Sequence, residues 1–188
     1  MKKRVERMDN QEYLDKYEDA LMQKIAQMCV AMQVADKVLA SSPDIDDRWE
    51  QIALPYMGDA VKEFEKYPTV SLGWAMYVGM AVAHCWDAEW EKYSGDQNLY
   101  ETFRDLRGFD CMDEYIREEI LQMKGEVYDR CEELVRICSE KSLDTIRHEQ
   151  VEPGSPMAFH VYVRSIKVLY KLGAAIELKR LGYKMEKQ

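Results

Sequence analysis

An imidazole and two carboxylates occur at helical spacing near the end of the least polar stretch of the chain. His84, Asp87 and Glu91 are three and four residues apart, so one face of a helix would carry all three. The Asp87 carboxylate can accept a hydrogen bond from the His84 ring, which would fix its tautomer and raise its basicity. The group predicts a metal site completed by another helix, or a general acid–base pair. A helix end that emerges into solvent explains the same pattern, and we favour that interpretation.

A second candidate surface is basic. Arg164, Lys167 and Lys171 follow one another at spacings of three and four residues, within a C-terminal segment, 154–188, that has seven Lys or Arg and two acidic residues. Such a face binds an anion or an acidic partner, or it packs beside acidic helices of the same chain and is neutralised there. We favour neutralisation, because the whole chain of 188 residues has a net charge of −9.

Composition and absent motifs exclude several classes of function. An isoelectric point near 5.0 argues against broad binding to nucleic acids or anionic membranes, which needs clustered positive charge. The chain has no glycine-rich phosphate loop, no G-x-S-x-G turn and no H-E-x-x-H motif. Its five cysteines form no C-x-x-C pair, and no apolar stretch follows the basic N-terminus as in a secretory signal. We therefore predict a cytoplasmic protein with reduced thiols, no cofactor, and no nucleic-acid or membrane partner.

The longest uncharged stretch predicts the centre of the fold. No Asp, Glu, Lys or Arg occurs between Lys66 and Asp87. This length approaches that of a membrane helix, but polar residues dilute it and acidic residues flank it. We predict a fully buried helix of a bundle instead. Within it Ala75, Gly79 and Ala83 recur every four residues, a ridge that lets a neighbouring backbone approach closely.

Apolar periodicity and turn signals predict an all-α fold. We expect one domain over residues 1–188, a bundle of five to six helices in mostly up-and-down order. Residues 1–9 are predicted to form a flexible N-terminal arm, and residues 183–188 a frayed C-terminus. The first helix is predicted to run from near Asn10 to Leu39.

Individual signals place the later helices. Asp44 is predicted to cap the second helix, and Pro55 to kink or break it. A short helix from Tyr100 to Leu106 is predicted next. A long helix follows it, with its apolar positions over 112–138 facing inward. Ser155 followed by Pro156 is a strong start signal for the last helix, which is predicted to run through Phe159 and Ile176 towards Gly182.

The function predicted from these observations is the binding of a partner protein or of a second copy of the chain, without enzymatic activity. The support is largely negative, because no catalytic signature is complete and a helical fold implies no function by itself. The second hypothesis is a metal-dependent hydrolase or related helical enzyme that uses His84, Asp87 and Glu91. The third is a sensor that holds a small ligand in a cavity between helices.

Overall fold

Over the part of the chain that the structure describes, the fold is built from helices alone. The computed structural model describes residues 2–185, with side chains from residue 9 onward. Its elements are α1 (Lys2–Ala31), α2 (Pro43–Asp47), α3 (Trp49–Glu63), α4 (Pro68–Tyr93), α5 (Leu99–Asp105), α6 (Met112–Tyr115), a π-helical turn (Ile116–Ile120), α7 (Glu126–His148) and α8 (Pro156–Arg180). The predicted all-α bundle is confirmed. Within the described range five helices have 15 or more residues, and α5 corresponds to the short helix predicted from Tyr100 to Leu106.

Helix α4 lies at the centre of the bundle. It contacts α8 most extensively and also packs against α7 and α3, while α1 lies against α8 and α7. From Leu72 to Ala83 nearly every side chain of α4 is buried, which matches the uncharged sequence of this stretch. No helix within residues 2–185 is long and apolar enough to cross a membrane.

The close backbone approach predicted for the ridge of small residues is confirmed at Gly79. A Cβ atom added to Gly79 would lie 2.0 Å from the carbonyl oxygen of Tyr170 in α8. Reciprocally, a Cβ atom on Gly173 would lie 2.1 Å from the carbonyl oxygen of Met76. Helices α4 and α8 therefore touch backbone to backbone, and no side chain fits between them at this point.

The limits of α1 differ from the prediction at both ends. The helix begins at Lys2, so most of the segment predicted as a flexible arm continues it. It ends at Ala31, well before Leu39, because the chain turns at Gln33 with a φ of 62°. At the C-terminus, residues 183–185 lie beyond α8, and the rest of the predicted frayed segment, 186–188, lies outside the described residues.

Around α2 and α3 the structure shows no break at Pro55 and an N-cap other than the one predicted. Helix α3 is not broken at Pro55, because the carbonyl that loses its partner there belongs to the exposed residue Gln51, where water can replace the missing N–H. The N-cap of α2 is Ser42 and not Asp44. The Asp44 carboxylate instead accepts a hydrogen bond of 3.3 Å from the indole of Trp86.

The single long helix predicted over 112–138 is also wrong, because the chain breaks between α6 and α7. The π-helical turn ends in a loop where Gln122 and Gly125 have φ angles of 51° and 60°. The buried Arg117 holds this turn, with its guanidinium 2.8 Å from the Asp113 carboxylate and 3.9 Å from the centre of the Tyr128 ring. These contacts satisfy the arginine within the fold and set a new helical register for α7.

The start of α8 is confirmed as predicted. Pro156 is its first residue, and the Ser155 hydroxyl accepts a hydrogen bond of 3.1 Å from the backbone N–H of Ala158. This cap fixes the N-terminal end of α8 beside the C-terminal end of α7.

Candidate functional site

The polar face of α4 does not form the pair that its spacing predicts. The Nδ1 atom of His84 lies 3.0 Å from Oε1 of Glu177, a residue of α8, and not beside Asp87. The Asp87 carboxylate accepts a hydrogen bond of 2.6 Å from the Tyr183 hydroxyl, just beyond α8. The His84 side chain is 27% exposed, so its ring reaches the surface while Nδ1 is held inside.

Glu177 is the residue that sequence reasoning missed. Its side chain is 1% exposed, yet it is ionisable and lies in the most apolar part of α8. Arg180 neutralises it through two hydrogen bonds, from Nε to Oε2 at 2.7 Å and from Nη2 to Oε1 at 2.8 Å. These hydrogen bonds raise the pKa of the Arg180 guanidinium above its ordinary value, although burial opposes the charge. The available signal was an acid three residues before an arginine within an otherwise apolar run.

The third residue of the predicted stripe, Glu91, is separated from the other two by a break in the helix. Glu89 has φ −151° and ψ 51°, which are not helical, so the regular spacing ends there. Glu91 lies after the break, in the exposed last turn of α4. The three residues are therefore not brought together.

The chemistry open to His84 is proton transfer at its outer nitrogen. A carboxylate at Nδ1 favours the tautomer that has its proton there, which leaves Nε2 as an acceptor. Among the described residues, no group of three or more His, Cys, Asp or Glu side chains is placed to hold a metal ion. The structure therefore gives the hydrolase hypothesis a positioned imidazole. The described residues do not assemble the metal ligands that the hypothesis also needs.

The basic face of α8 is largely engaged with α1. Arg164 pairs with Asp15 at 2.9 Å and also with Glu18, and Lys167 lies 3.0 Å from Glu18. Burial opposes ionisation of Glu18, but the hydrogen bonds from Arg164 and Lys167 outweigh it and lower the pKa of that carboxyl. Lys171 is half-buried in the same row of α8. The contacts of Arg164 and Lys167 are those expected for intramolecular neutralisation.

An apolar cleft of about 900 Å³ opens at the other end of α8. It lies among the end of α3, the start of α4, the end of α7 and the start of α8. Its walls are mainly apolar: Val61, Phe64, Pro68, Leu143, Ile146, Val151, Phe159 and Tyr162. Phe159 is 45% exposed on this cleft, and Val61 is exposed to the same degree.

The floor of the cleft is apolar because the polar atoms beneath it are satisfied internally. The Tyr162 ring packs edge-on against Phe64, with their centroids 4.9 Å apart. The Tyr162 hydroxyl is hydrogen-bonded to the Ser71 hydroxyl, which donates to the carbonyl oxygen of Ala60 at 2.7 Å. Burial raises the pKa of Tyr162 to about 12, so the phenol stays neutral.

Charged side chains border the cleft on opposite elements. Arg147 lies at the end of α7, and Glu65 lies between α3 and α4. Neither forms an ion pair with another described side chain, whereas Glu149 is hydrogen-bonded to the Tyr13 hydroxyl. The cleft therefore combines apolar walls with one cation and one anion that have no protein partner in the described part of the chain.

Searches of protein-family models, curated proteins and solved structures find no match to this chain.

Proposed function

We propose that the protein acts by binding a partner protein that inserts apolar side chains into the cleft between α3–α4 and α7–α8. The carrying observation is the cleft itself, in which two large apolar side chains, Phe159 and Val61, are each 45% exposed. Exposed apolar surface that is gathered in a concave site, and not scattered, is typical of an interaction surface. Burying it on a partner would supply the main favourable free energy of association.

The charges at the rim indicate the kind of segment that fits. Arg147 would pair with an acidic residue of the partner, and Glu65 with a basic one. Because they stand on different elements, the two pairs would set the direction in which the segment lies. An amphipathic helix satisfies these requirements, since residues at i and i+4 can fill the cleft while charged residues reach both rims.

Selection from a displayed library of amphipathic helical peptides on the purified protein tests this proposal. Selected peptides are expected to combine apolar residues at helical spacing with an acidic residue. Phe159→Asp should weaken their binding at least 30-fold, because it places a charge in the apolar contact. Leu106→Asp is the matched control, since Leu106 is 70% exposed but lies outside the cleft, and it should leave binding unchanged.

The rim contact has its own test. Arg147→Glu should weaken a selected peptide about tenfold, and exchange of the acidic residue of the peptide for lysine should restore the binding. Peptides that bind Phe159→Asp as tightly as the unaltered protein would contradict the proposal, as would a library that gives no specific binder.

A small apolar ligand is the second candidate, and the size of the cleft favours it. A volume of about 900 Å³ falls within the ~300–1,000 Å³ typical of small-molecule sites. Titration calorimetry with dodecanoate as the probe separates the two candidates. One result would favour the ligand: one dodecanoate molecule binds per chain with micromolar affinity, the Phe159→Asp variant loses this binding, and the library yields no peptide. The cleft would then be a small-molecule site and not a site for a partner protein.

A further inference from the structure

Two of the five cysteines face each other inside the bundle. The Sγ atoms of Cys29 and Cys138 lie 3.8 Å apart, and both side chains are fully buried. Cys29 belongs to the last turn of α1 and Cys138 to the middle of α7, so 109 positions of sequence separate them. Cysteine spacing in the sequence gives no sign of this pair, because it depends on how the two helices pack.

The pair differs chemically from the other buried thiols. Neither Cys85 nor Cys131 is hydrogen-bonded to another cysteine, and burial raises the pKa of each to about 12, which keeps them protonated. At Cys29 a hydrogen bond from the Cys138 thiol lowers the pKa despite burial. Either thiol of the pair can donate to the other, so the thiolate of one is stabilised by the thiol of its neighbour.

We propose that Cys29 and Cys138 form a reversible disulfide that fastens α1 to α7 when the protein meets a peroxide. The sulfur atoms must approach by somewhat less than 2 Å to reach the bonding distance of about 2.05 Å. The position of Cys29 favours this movement, because α1 ends two residues later and the chain turns at Gln33. This inference does not depend on the function proposed for the cleft.

The reaction balances with hydrogen peroxide as the oxidant. The thiolate of one residue, for example Cys29, attacks one peroxide oxygen, the O–O bond breaks, and a sulfenic acid and hydroxide are formed. The hydroxide takes up the proton that the thiol lost on ionisation and becomes water. The Cys138 sulfur then attacks the sulfenic sulfur, an S–S bond forms, and the hydroxyl leaves as a second water with the proton of the Cys138 thiol. The two thiols lose two electrons in total, and the peroxide gains them.

The enclosed loop is long, so the disulfide should stabilise the fold strongly. Restricting a loop of about 110 residues in the unfolded chain should raise the melting temperature by about 10 °C for a protein of this size. Dithiothreitol should reverse the rise. The stabilised contact is that of α1 with α7, which the disulfide would make covalent.

Brief treatment with hydrogen peroxide followed by non-reducing digestion and mass spectrometry tests the proposal. We use a Cys111→Ser background, because Cys111 is exposed and would react independently. Titratable thiols in the unfolded protein are expected to fall from four to two, with a linked peptide that joins Cys29 to Cys138. Adding Cys85→Ser, the matched buried control, should leave the linked peptide in place, whereas Cys29→Ser should abolish it.

The linked peptide is read in the protein with both cysteines present, so the result does not depend on the folding of Cys29→Ser. Oxidation of these thiols to sulfinic acid without a linked peptide would overturn the proposal. A linked peptide between other cysteines would do the same. A disulfide that forms without any rise in melting temperature would overturn its stabilising role.

Discussion

Helix α8 contributes to two sites, and they differ in whether their side chains find partners within the chain. Toward its C-terminal end, Glu177 is buried between His84 and Arg180, and each charge is neutralised by hydrogen bonds. Toward its N-terminal end, Phe159 and the neighbouring Arg147 face an open cleft without such partners in the described residues. Residues at catalytic spacing thus find structural partners elsewhere in the chain, whereas the cleft leaves apolar and charged side chains open to a partner from outside.

The largest destabilisation is expected from a substitution at the backbone contact between α4 and the C-terminal half of α8. Gly79→Leu should destabilise the fold by more than 3 kcal/mol, because even a Cβ atom would lie 2.0 Å from a main-chain oxygen that cannot move aside. Gly58→Leu is the control, since a Cβ atom there meets nothing within 4 Å. Urea unfolding of both variants gives the comparison. Equal free energies of unfolding for the two variants would show that α4 and α8 are not closely packed at Gly79.

A smaller destabilisation is expected when the buried carboxylate of Glu177, also in the C-terminal half of α8, is removed. Glu177→Ala should cost about 2 kcal/mol, below the range for fully buried pairs, because His84 and Arg180 are partly exposed and can be hydrated. Glu177→Gln should recover part of this loss by keeping a hydrogen bond to the imidazole. The free energy of unfolding measures both, with the exposed Glu133→Ala as a control that should be nearly neutral. A stable Glu177→Ala variant would mean that the pair is dispensable.

The contact of α8 with α1 should appear in the pH dependence of stability. The pKa of Glu18 is lowered in the folded state from its ordinary value of 4.5, so its stabilising contribution is complete above that pH. The contribution is lost as the pH falls through the lower, folded-state pKa. Glu18→Gln should therefore cost about 1 kcal/mol at pH 7 and much less at pH 3. Unfolding curves at both pH values check this, and an equal cost at both would contradict the assignment.

Metal ions should have the smallest effect. Zinc or manganese is expected to leave the melting temperature unchanged, because the described residues do not assemble three ligands around His84. An ion bound at 100 times its dissociation constant would contribute about 2.7 kcal/mol, which a melting curve detects. A rise that disappears in Asp87→Ala would restore the hydrolase hypothesis and remove the contrast between the two halves of α8.

Features fixed by neighbouring residues could be read from the sequence. The cap at Ser155 depends on a hydroxyl and a proline that adjoin it, and the ridge at Gly79 depends on spacing within one helix. Both predictions are confirmed. The burial of α4 follows in the same way from its lack of charge, since an uncharged helix gains most from the centre of a bundle.

Features that depend on distant residues could not be read in this way. The partner of His84 is 93 positions away, and periodicity on α4 cannot reveal it. The break near Arg117 depends on a ring and a carboxylate that favour an irregular turn over continued helix. The cleft depends on the junctions of four helices, so the exposure of Phe159 is set by how these ends meet and not by its helical position.

The backbone contact between Gly79 and α8 has a consequence for the protein during its synthesis. The residues that meet there, Gly79 with Tyr170 and Gly173 with Met76, are separated by more than 90 positions of chain. At a translation rate of ~5–20 residues per second, roughly 5–19 seconds would pass between the synthesis of α4 and that of α8, its principal partner. Throughout that interval the least polar helix of the chain lacks the surface that covers it. A ribosome-bound chain that stops before α8 should therefore depend on chaperones, and its release should lead to aggregation.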